Sequence, residues 1–249
     1  MLSKKQIQYL KRLHQKKNRQ NEGLFLVEGR KNVSDLLKSK LRIHSIYLSE
    51  QNADWDSIPD QLSNDVWSCS TNDFSRFSYL KSPDGIAAVA HIPRPSFSDQ
   101  FRKVLLLEEI NDPGNLGTLL RSADWFGVDA VLISENTTDP FSPKAVQAAK
   151  GSLFRVPVLS VDLHSEIDRM IANGFSIYAM EMNGTDLDRV EAAEKWGILL
   201  GNEANGLQSN TLELATHRVR IDKVVKDSSI DSLNVGIAGS IAMFALSKG

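Results

Sequence analysis

Three short stretches hold the residue types that could do chemistry. In NDPGNLGTLLRSADWFGV, residues 111–128, Pro113, Gly114 and Gly117 bend the backbone and allow close approach. Asn115 offers an amide at the start of a helix, and Arg121 follows among Leu, Ala, Trp and Phe. A helix start favours an anion, and a guanidinium can grip a phosphate or carboxylate at two points. A plainer account makes Asn115 a helix cap and Arg121 a surface residue. In LLGNEANGL, residues 199–207, a strand ends at Gly201, Glu203 follows at once, and Asn205-Gly206 makes a tight turn. In DSLNVGIAGSIAMFAL, residues 231–246, Ser232 and Asn234 open an otherwise apolar helix. Its small residues Gly236, Ala238, Gly239 and Ser240 let another backbone come close.

The elements that must position these residues follow from periodicity. A first helix buries Ile7, Leu10 and Leu13 and leaves Lys4, Lys5, Lys11, Arg12, Lys16 and Lys17 outside. Strands are expected at LFLVEG, IHSIYLS and GIAAVAHI, with helices at residues 30–38 and 74–80. IPRPSFSDQ, residues 92–100, has two prolines, two serines and no periodicity, and reads as a linker. The pattern restarts at residue 103 with VLLLEEI, an apolar run typical of a strand covered on both faces. Strands at AVLIS, FRVPVLS, FSIYAM and WGILLGNE alternate with helices at 115–126, 142–149, 164–172 and 232–246. Alternation of this kind means a parallel-sheet α/β domain, whose ligands sit beyond the carboxyl ends of the strands. The expected division is a first domain at 1–95, a linker at 96–102 and a second domain at 103–249.

Charge separates the two parts. Residues 1–40 hold eleven Lys and Arg against three Asp and Glu, a net +8, while the remaining 209 residues hold 18 against 28. A basic arm on an acidic body suits a protein that meets phosphates at one end, although a solvated helix face would look similar. Lys11, Arg12, Lys16, Lys17, Arg19, Arg30 and Lys31 are the candidate nucleic-acid-binding residues. No apolar run approaches the roughly 20 residues needed to span a bilayer, and the N-terminus lacks the apolar centre of a signal peptide, so a cytoplasmic protein is expected. Cys69 stands alone and reads as a buried thiol. The five histidines have no metal-ligand spacing, and no metal is expected. Neither G-x-G-x-x-G nor G-x-x-x-x-G-K-[ST] occurs, so a dinucleotide fold or P-loop enzyme has no motif.

Taken together, NDPGNLGTLLRSADWFGV, LLGNEANGL and SLNVGIAGSIA resemble the three motifs of the SpoU (TrmH) family of SPOUT-class RNA methyltransferases, in the right order over residues 103–246. KKNRQNEGLFLVEGRKNVSDLL resembles the small α/β ribosomal-protein-like RNA-binding domain that often accompanies them. The resemblance implies methyl transfer from S-adenosyl-L-methionine to a ribose 2′-hydroxyl of RNA, with ribosomal RNA favoured by the two-domain layout and transfer RNA as the alternative. It also implies a SPOUT fold with a trefoil knot and a homodimer. A non-catalytic RNA-binding or assembly protein with the knotted fold, and a small-molecule α/β enzyme, are the competing readings.

Carried over residue by residue, the resemblance makes Asn115, Arg121, Glu203, Ser232 and Asn234 the catalytic set. Leu200, Gly201, Asn202, Ile221, Leu233 and Asn234 become the cofactor contacts, largely through backbone. Glu203 is expected to pair with Arg121 or with a motif asparagine. Two departures stand out. IDKVVKDSSIDSLN lacks the family's I-P-x-x-G loop and is longer, which makes Val224 the alternative to Ile221. Lys150 precedes Gly151 where the family has an apolar residue; its stem can pack while its charge reaches solvent or RNA.

Overall fold

The computed structural model describes residues 2–52, 55, 58, 59, 62, 65–225 and 232–248. The chain forms two compact units, one of residues 1–94 with 139–155 and one of residues 95–138 with 156–249.

In the first unit the basic N-terminus becomes α1 (Lys4–Arg12), capped by Ser3, whose hydroxyl accepts from the Gln6 N–H while its own N–H donates to Gln6 Oε1 at 2.8 Å. Ile7, Leu10 and Leu13 are buried as the periodicity requires. A second short helix, α2 (Lys16–Glu22), which the sequence reading missed, ends at Gly23. It leads into β1 (Leu24–Glu28), followed by α3 (Arg30–Leu37), β2 (Ile43–Ser49), β3 (Val66–Cys69), α4 (Thr71–Phe77) and β4 (Ile86–His91). The sheet order is β1-β4-β2-β3, antiparallel around β4 and parallel between β2 and β3. Leu10, Leu26, Phe74, Phe77 and Val89 share its core. Cys69 lies in that core, where burial pushes its thiol up to about 11, an inert position.

The second unit opens with β5 (Lys103–Leu107) and α5 (Pro113–Trp125), then β6 (Ala130–Ile133). After α6 (Pro143–Ala149) come β7 (Val158–Ser160), α7 (Leu163–Ala172), β8 (Ser176–Asp186), β9 (Trp196–Leu200), α8 (Ser209–Glu213), β10 (His217–Arg220) and α9 (Val235–Leu246). Among the described residues the sheet has six strands in the order β10-β8-β9-β5-β6-β7, parallel throughout. Val104, Leu105, Leu106 and Leu107 of β5 are fully buried, as a strand covered on both faces requires. From β5 the chain builds outward through β6 and β7 on one side, whereas β9 and β8 lie on the other. The sheet therefore changes direction between β5 and β9, and the loops leaving both strands open at that switch.

Several boundaries differ from expectation for physical reasons. FRVPVLS contributes only Val158–Ser160, because Ser152–Phe154 close into a 3-10 turn and Pro157 has no N–H to give a ladder. α5 starts at Pro113 rather than Asn115, because the Asp112 carboxylate accepts from the Gly114 and Asn115 N–H groups at 2.6 and 3.0 Å. α9 starts at Val235, because Asn234 Oδ1 accepts from the Gly236 and Ile237 N–H groups.

Residues 139–155 lie within the second half of the sequence yet pack in the first unit. Phe141 and Phe154 approach Phe25 of β1, with ring centroids 4.9 and 6.3 Å apart. Gln147 of α6 donates to the Glu28 carbonyl at 2.8 Å. Lys150 ends α6 at φ 51, a left-handed conformation that supplies the turn into Gly151.

Candidate active site

The loop after β5 and the loop after β9 begin at paired residues, Leu107 and Leu200. Asp112 caps α5, which leaves the Asn115 side chain available for another task. Its Nδ2 donates to Glu203 Oε1 at 2.9 Å, and its Oδ1 accepts from Asn234 Nδ2 at 2.9 Å. One asparagine thus ties the three motifs together. Of the two partners expected for Glu203, the structure supplies the asparagine.

Glu203 also accepts from the backbone N–H groups of Asn111 and Asp112, each at 3.4 Å. Burial works against its charge more than any other single influence. The hydrogen bonds from Asn115, from its own backbone and from Asn111 and Asp112 together outweigh that effect and hold the carboxyl below its usual value. Glu203 is therefore an ionised acceptor at neutral pH.

The second loop is shaped by its own polar atoms. Asn202 and Gly206 exchange backbone hydrogen bonds at 3.0 and 2.9 Å. Asn202 Oδ1 accepts from the Ala204 and Asn205 N–H groups, and its Nδ2 donates to the Glu109 carbonyl at 2.9 Å. A Cβ at position 201 would stand 2.3 Å from the Gly206 carbonyl carbon, so only glycine lets the loop fold back so closely. Behind it, buried Glu108 accepts from the Gln208 N–H at 2.8 Å and from the Thr211 hydroxyl at 2.5 Å, which fixes where the loop ends.

A cavity of about 830 Å³ opens beside these loops. Leu200, Gly201, Asn202, Glu203, Ile221, Ser232, Leu233 and Asn234 all line it, so each candidate cofactor contact falls on one surface. Of the two alternatives Ile221 lines the cavity, while Val224 is 94% exposed and outside the lining. Residues 226–231 of the atypical loop lie outside the described residues. Sequence reasoning missed Met180, Glu181, Met182 and Asn183 on the same wall. The available signal was FSIYAM itself, a strand beside β9 in a parallel sheet, whose carboxyl end must open on the same side. Asp222 and Arg220 also line the cavity and pair with each other, Nε to Oδ1 at 2.5 Å.

Arg121 lies apart from this group. It sits six residues beyond Asn115 on α5, about 120° around the helix and about 9 Å along it. It is exposed and makes no hydrogen bond or ion pair among the described residues.

α9 has two distinct faces. Gly239 turns inward, where a Cβ would meet Leu119 and Leu200 at 2.5 and 2.6 Å, and the Ser240 and Ser122 hydroxyls lie 2.6 Å apart. The small residues of this helix thus serve contact with α5 and β9. Ile237, Ile241 and Phe244 point outward and are exposed, and Trp125 at the end of α5 is 84% exposed.

In the first unit Lys11, Arg12, Lys16, Lys17, Arg30 and Lys31 are exposed, and Arg19 is not. Its guanidinium is buried against Asp139, with Nε at 3.0 Å from the carboxylate, and donates to the Leu13 carbonyl at 2.8 Å. Arg19 therefore leaves the RNA-binding set: its charge is already neutralised and it anchors the 139–155 segment. No cluster of His, Cys, Asp and Glu able to hold a metal occurs among the described residues, and no helix among them is long and apolar enough to cross a membrane.

The chain is similar to known proteins in both of its parts. Residues 102–244 match the SpoU rRNA Methylase family, and residues 4–88 match the MRM3-like substrate binding domain. The chain is 33% identical to the 23S rRNA (guanosine(2553)-2′-O)-methyltransferase RlmP of Bacillus subtilis, over 95% of this chain and 93% of that one. A TrmH-family protein structure from Porphyromonas gingivalis superposes with a TM-score of 0.90 at 31% identity, over 99% of this chain and 98% of that one. An AdoMet-bound rRNA methyltransferase from Sinorhizobium meliloti gives 0.88 at 26% identity, over 100% and 96%. With its motifs joined through one asparagine and its length shared with these relatives, the chain belongs to the SpoU rRNA methylase family.

Proposed function

We propose that this chain is an S-adenosyl-L-methionine-dependent methyltransferase that modifies a ribose 2′-hydroxyl of ribosomal RNA. The observation that carries the reading is the Asn234–Asn115–Glu203 connection at the edge of a cavity lined by every expected cofactor contact.

The cavity fits the cofactor. Its volume lies within the usual range for a small-molecule site. Met180, Leu207, Ile221, Leu233 and Val235 offer apolar surface for an adenine, and Glu181 and Glu203 offer negative charge for a sulfonium and an ammonium group. When bound, S-adenosyl-L-methionine supplies a methyl group already activated on sulfur. The chain's own task is then alignment and the removal of one proton. Asn115, Glu203 and Asn234 hold the three loops in register, and Ser232 offers a hydroxyl on the cavity wall. Arg121 clamps the phosphate beside the target ribose at two points. It stays protonated, so it orients and stabilises charge; a phosphate oxygen or water takes the proton.

The first unit supplies sequence-independent RNA affinity through Lys11, Arg12, Lys16, Lys17, Arg30 and Lys31, and the second supplies cofactor binding. The C-terminal segment threads a trefoil knot. Two chains pair through the outer face of α9, which would bury Ile237, Ile241 and Phe244 and bring residues of both near the reacting atoms. The enzyme works in the cytoplasm, where its RNA is found. The 23S rRNA activity named for the Bacillus subtilis relative favours ribosomal over transfer RNA.

The test is to map 2′-O-methyl sites in ribosomal and transfer RNA from cells with and without the gene, and to add the purified protein and S-adenosyl-L-methionine to the unmodified RNA. Loss and restoration of one ribosomal site is expected. Unchanged methylation in both experiments would overturn the reading.

A further inference from the structure

Tyr79 sits at a turn that the first unit holds with unusual care. The residue is 50% exposed. Yet its N–H donates to Glu28 Oε1 at 2.8 Å, and the Ser78 hydroxyl donates to Glu28 Oε2 while accepting from the Leu80 N–H at 3.1 Å. The imidazole of His14 braces the ring edge-on, with centroids 5.8 Å apart at 84°. Glu28 is buried, and burial pushes its carboxyl above the usual value despite the hydrogen bonds from Ser78 and Tyr79. Its carbonyl is held in turn by Gln147 and Asn32. A buried carboxylate is costly, and this one serves to fix a surface turn that carries an exposed aromatic ring.

Two cation-bearing segments are fastened to this turn, one through His14 and one through Asp84; the Arg30 guanidinium itself donates to Asn52 Oδ1 at 2.6 Å. His14 lies at the corner between α1 and α2, whose exposed charges are Lys11, Arg12, Lys16 and Lys17. Asp84, at the end of the same turn, accepts from the Arg30 N–H at 2.7 Å and so fastens the start of α3, with exposed Arg30 and Lys31. Exposed Lys81 follows two residues after Tyr79 in the same turn.

We propose that Tyr79 is a stacking platform for an unpaired RNA base, with the adjoining phosphates held by the α1–α2 corner on one side and the start of α3 on the other. The inference rests on the reading of the chain as an RNA methyltransferase and names the form of RNA that its first unit takes. Cations alone would serve any nucleic acid. A fixed, exposed ring adds something that a duplex cannot use, because paired bases already stack on one another, whereas a single-stranded base has a free face.

The experiment measures binding of the full-length protein, across a salt series, to two probes: a short uridine-only RNA and a perfectly paired RNA duplex. Tyr79→Ala should weaken the uridine probe about tenfold or more, leave its salt slope unchanged and leave the duplex affinity unchanged. Tyr79→Phe should bind as the parent does, and the paired change Lys16→Ala with Lys17→Ala should lower the salt slope for both probes. An unaltered thermal midpoint in Tyr79→Ala excludes a folding defect. Equal loss on both probes, or parental affinity for uridine RNA in Tyr79→Ala, would overturn the platform while leaving the enzyme assignment intact. Failure of the parent to bind the uridine probe would also overturn the platform, whereas the enzyme assignment falls only if methylation of ribosomal and transfer RNA is unchanged.

Discussion

Asn234 Nδ2 lies 2.9 Å from Asn115 Oδ1, across 119 residues of chain. The same Asn234 caps α9 through its other amide atom, and the same Asn115 donates to Glu203. Each amide has its donor and acceptor committed in opposite directions. A carboxylate at position 115 would face the like charge of Glu203, and one at position 234 would set two acceptors face to face at Asn115 Oδ1.

This arrangement separates three variants. Asn115→Asp sets a second carboxylate against Glu203 and is expected to be the most damaging to methyl transfer. Asn115→Ala should lose on the order of a hundredfold in transfer with cofactor affinity kept. Asn234→Ala should lose cofactor affinity as well, together with about 1 kcal/mol of stability from the missing helix cap. Single-turnover methylation paired with calorimetric titration of S-adenosyl-L-methionine reads all three, and parental turnover in Asn115→Asp would contradict the account.

Arg121 makes no hydrogen bond or ion pair among the described residues that a substitution would break. Arg121→Lys should therefore fold normally and bind the cofactor as the parent does. A lysine is a point charge on a flexible stem and cannot reproduce a planar two-point grip, so transfer should fall on the order of a hundredfold or more. A parental single-turnover rate at saturating RNA and cofactor would make the arginine a bystander.

The depressed Glu203 carboxyl sets a pH limit with a definite sign. Its hydrogen bonds favour the ionised form, so what they contribute is present above the ordinary glutamate value of 4.5 and is lost as pH falls through the lower folded value. Cofactor affinity should stay level from neutral pH down to about that ordinary value and decline only below it. Titrations at stepped pH, with circular dichroism at each step to confirm folding, check this. A decline centred near pH 6 would show that burial, not hydrogen bonding, governs the group.

The outward face of α9 supplies the fourth test. Phe244→Glu places a charge among exposed apolar residues and should convert a dimer into a monomer at micromolar concentration by sedimentation. The inward residues Gly239 and Ser240 are untouched by this change, so the helix should still seat on α5 and β9. A monomeric parent protein would refute the pairing outright.

Much of this was legible because the signals were local. The alternation of VLLLEEI, AVLIS, FSIYAM and WGILLGNE shows a parallel sheet, and α1 follows from the spacing of Ile7, Leu10 and Leu13. The three motifs could be read as one site only through resemblance to a family, because Asn115, Glu203 and Asn234 meet through tertiary pairing that no local pattern records. Three features escaped for definable reasons. Asp112 competes with Asn115 as the helix cap, and Pro113 decides the outcome by opening the helix two residues early. Arg19 looks like any surface cation in a basic helix until Asp139 is brought to it from 120 positions away. Residues 139–155 have the periodicity of an ordinary crossover helix. That their aromatic residues pack on Phe25 depends on a sheet edge far away in the chain.

The excursion of residues 139–155 also imposes an order on events at the ribosome. Domains usually fold in turn as they are made, the N-terminal one first. Here residues 1–94 are all synthesised before Phe141, Gln147 and Phe154 exist. Until they arrive, Phe25 and the buried Arg19 lack their partners, and the nascent domain must wait with that surface uncovered. Its completion therefore falls after β5, α5 and β6 of the following domain have been synthesised. The translation of the second domain's first βαβ unit is a built-in delay in the maturation of the first.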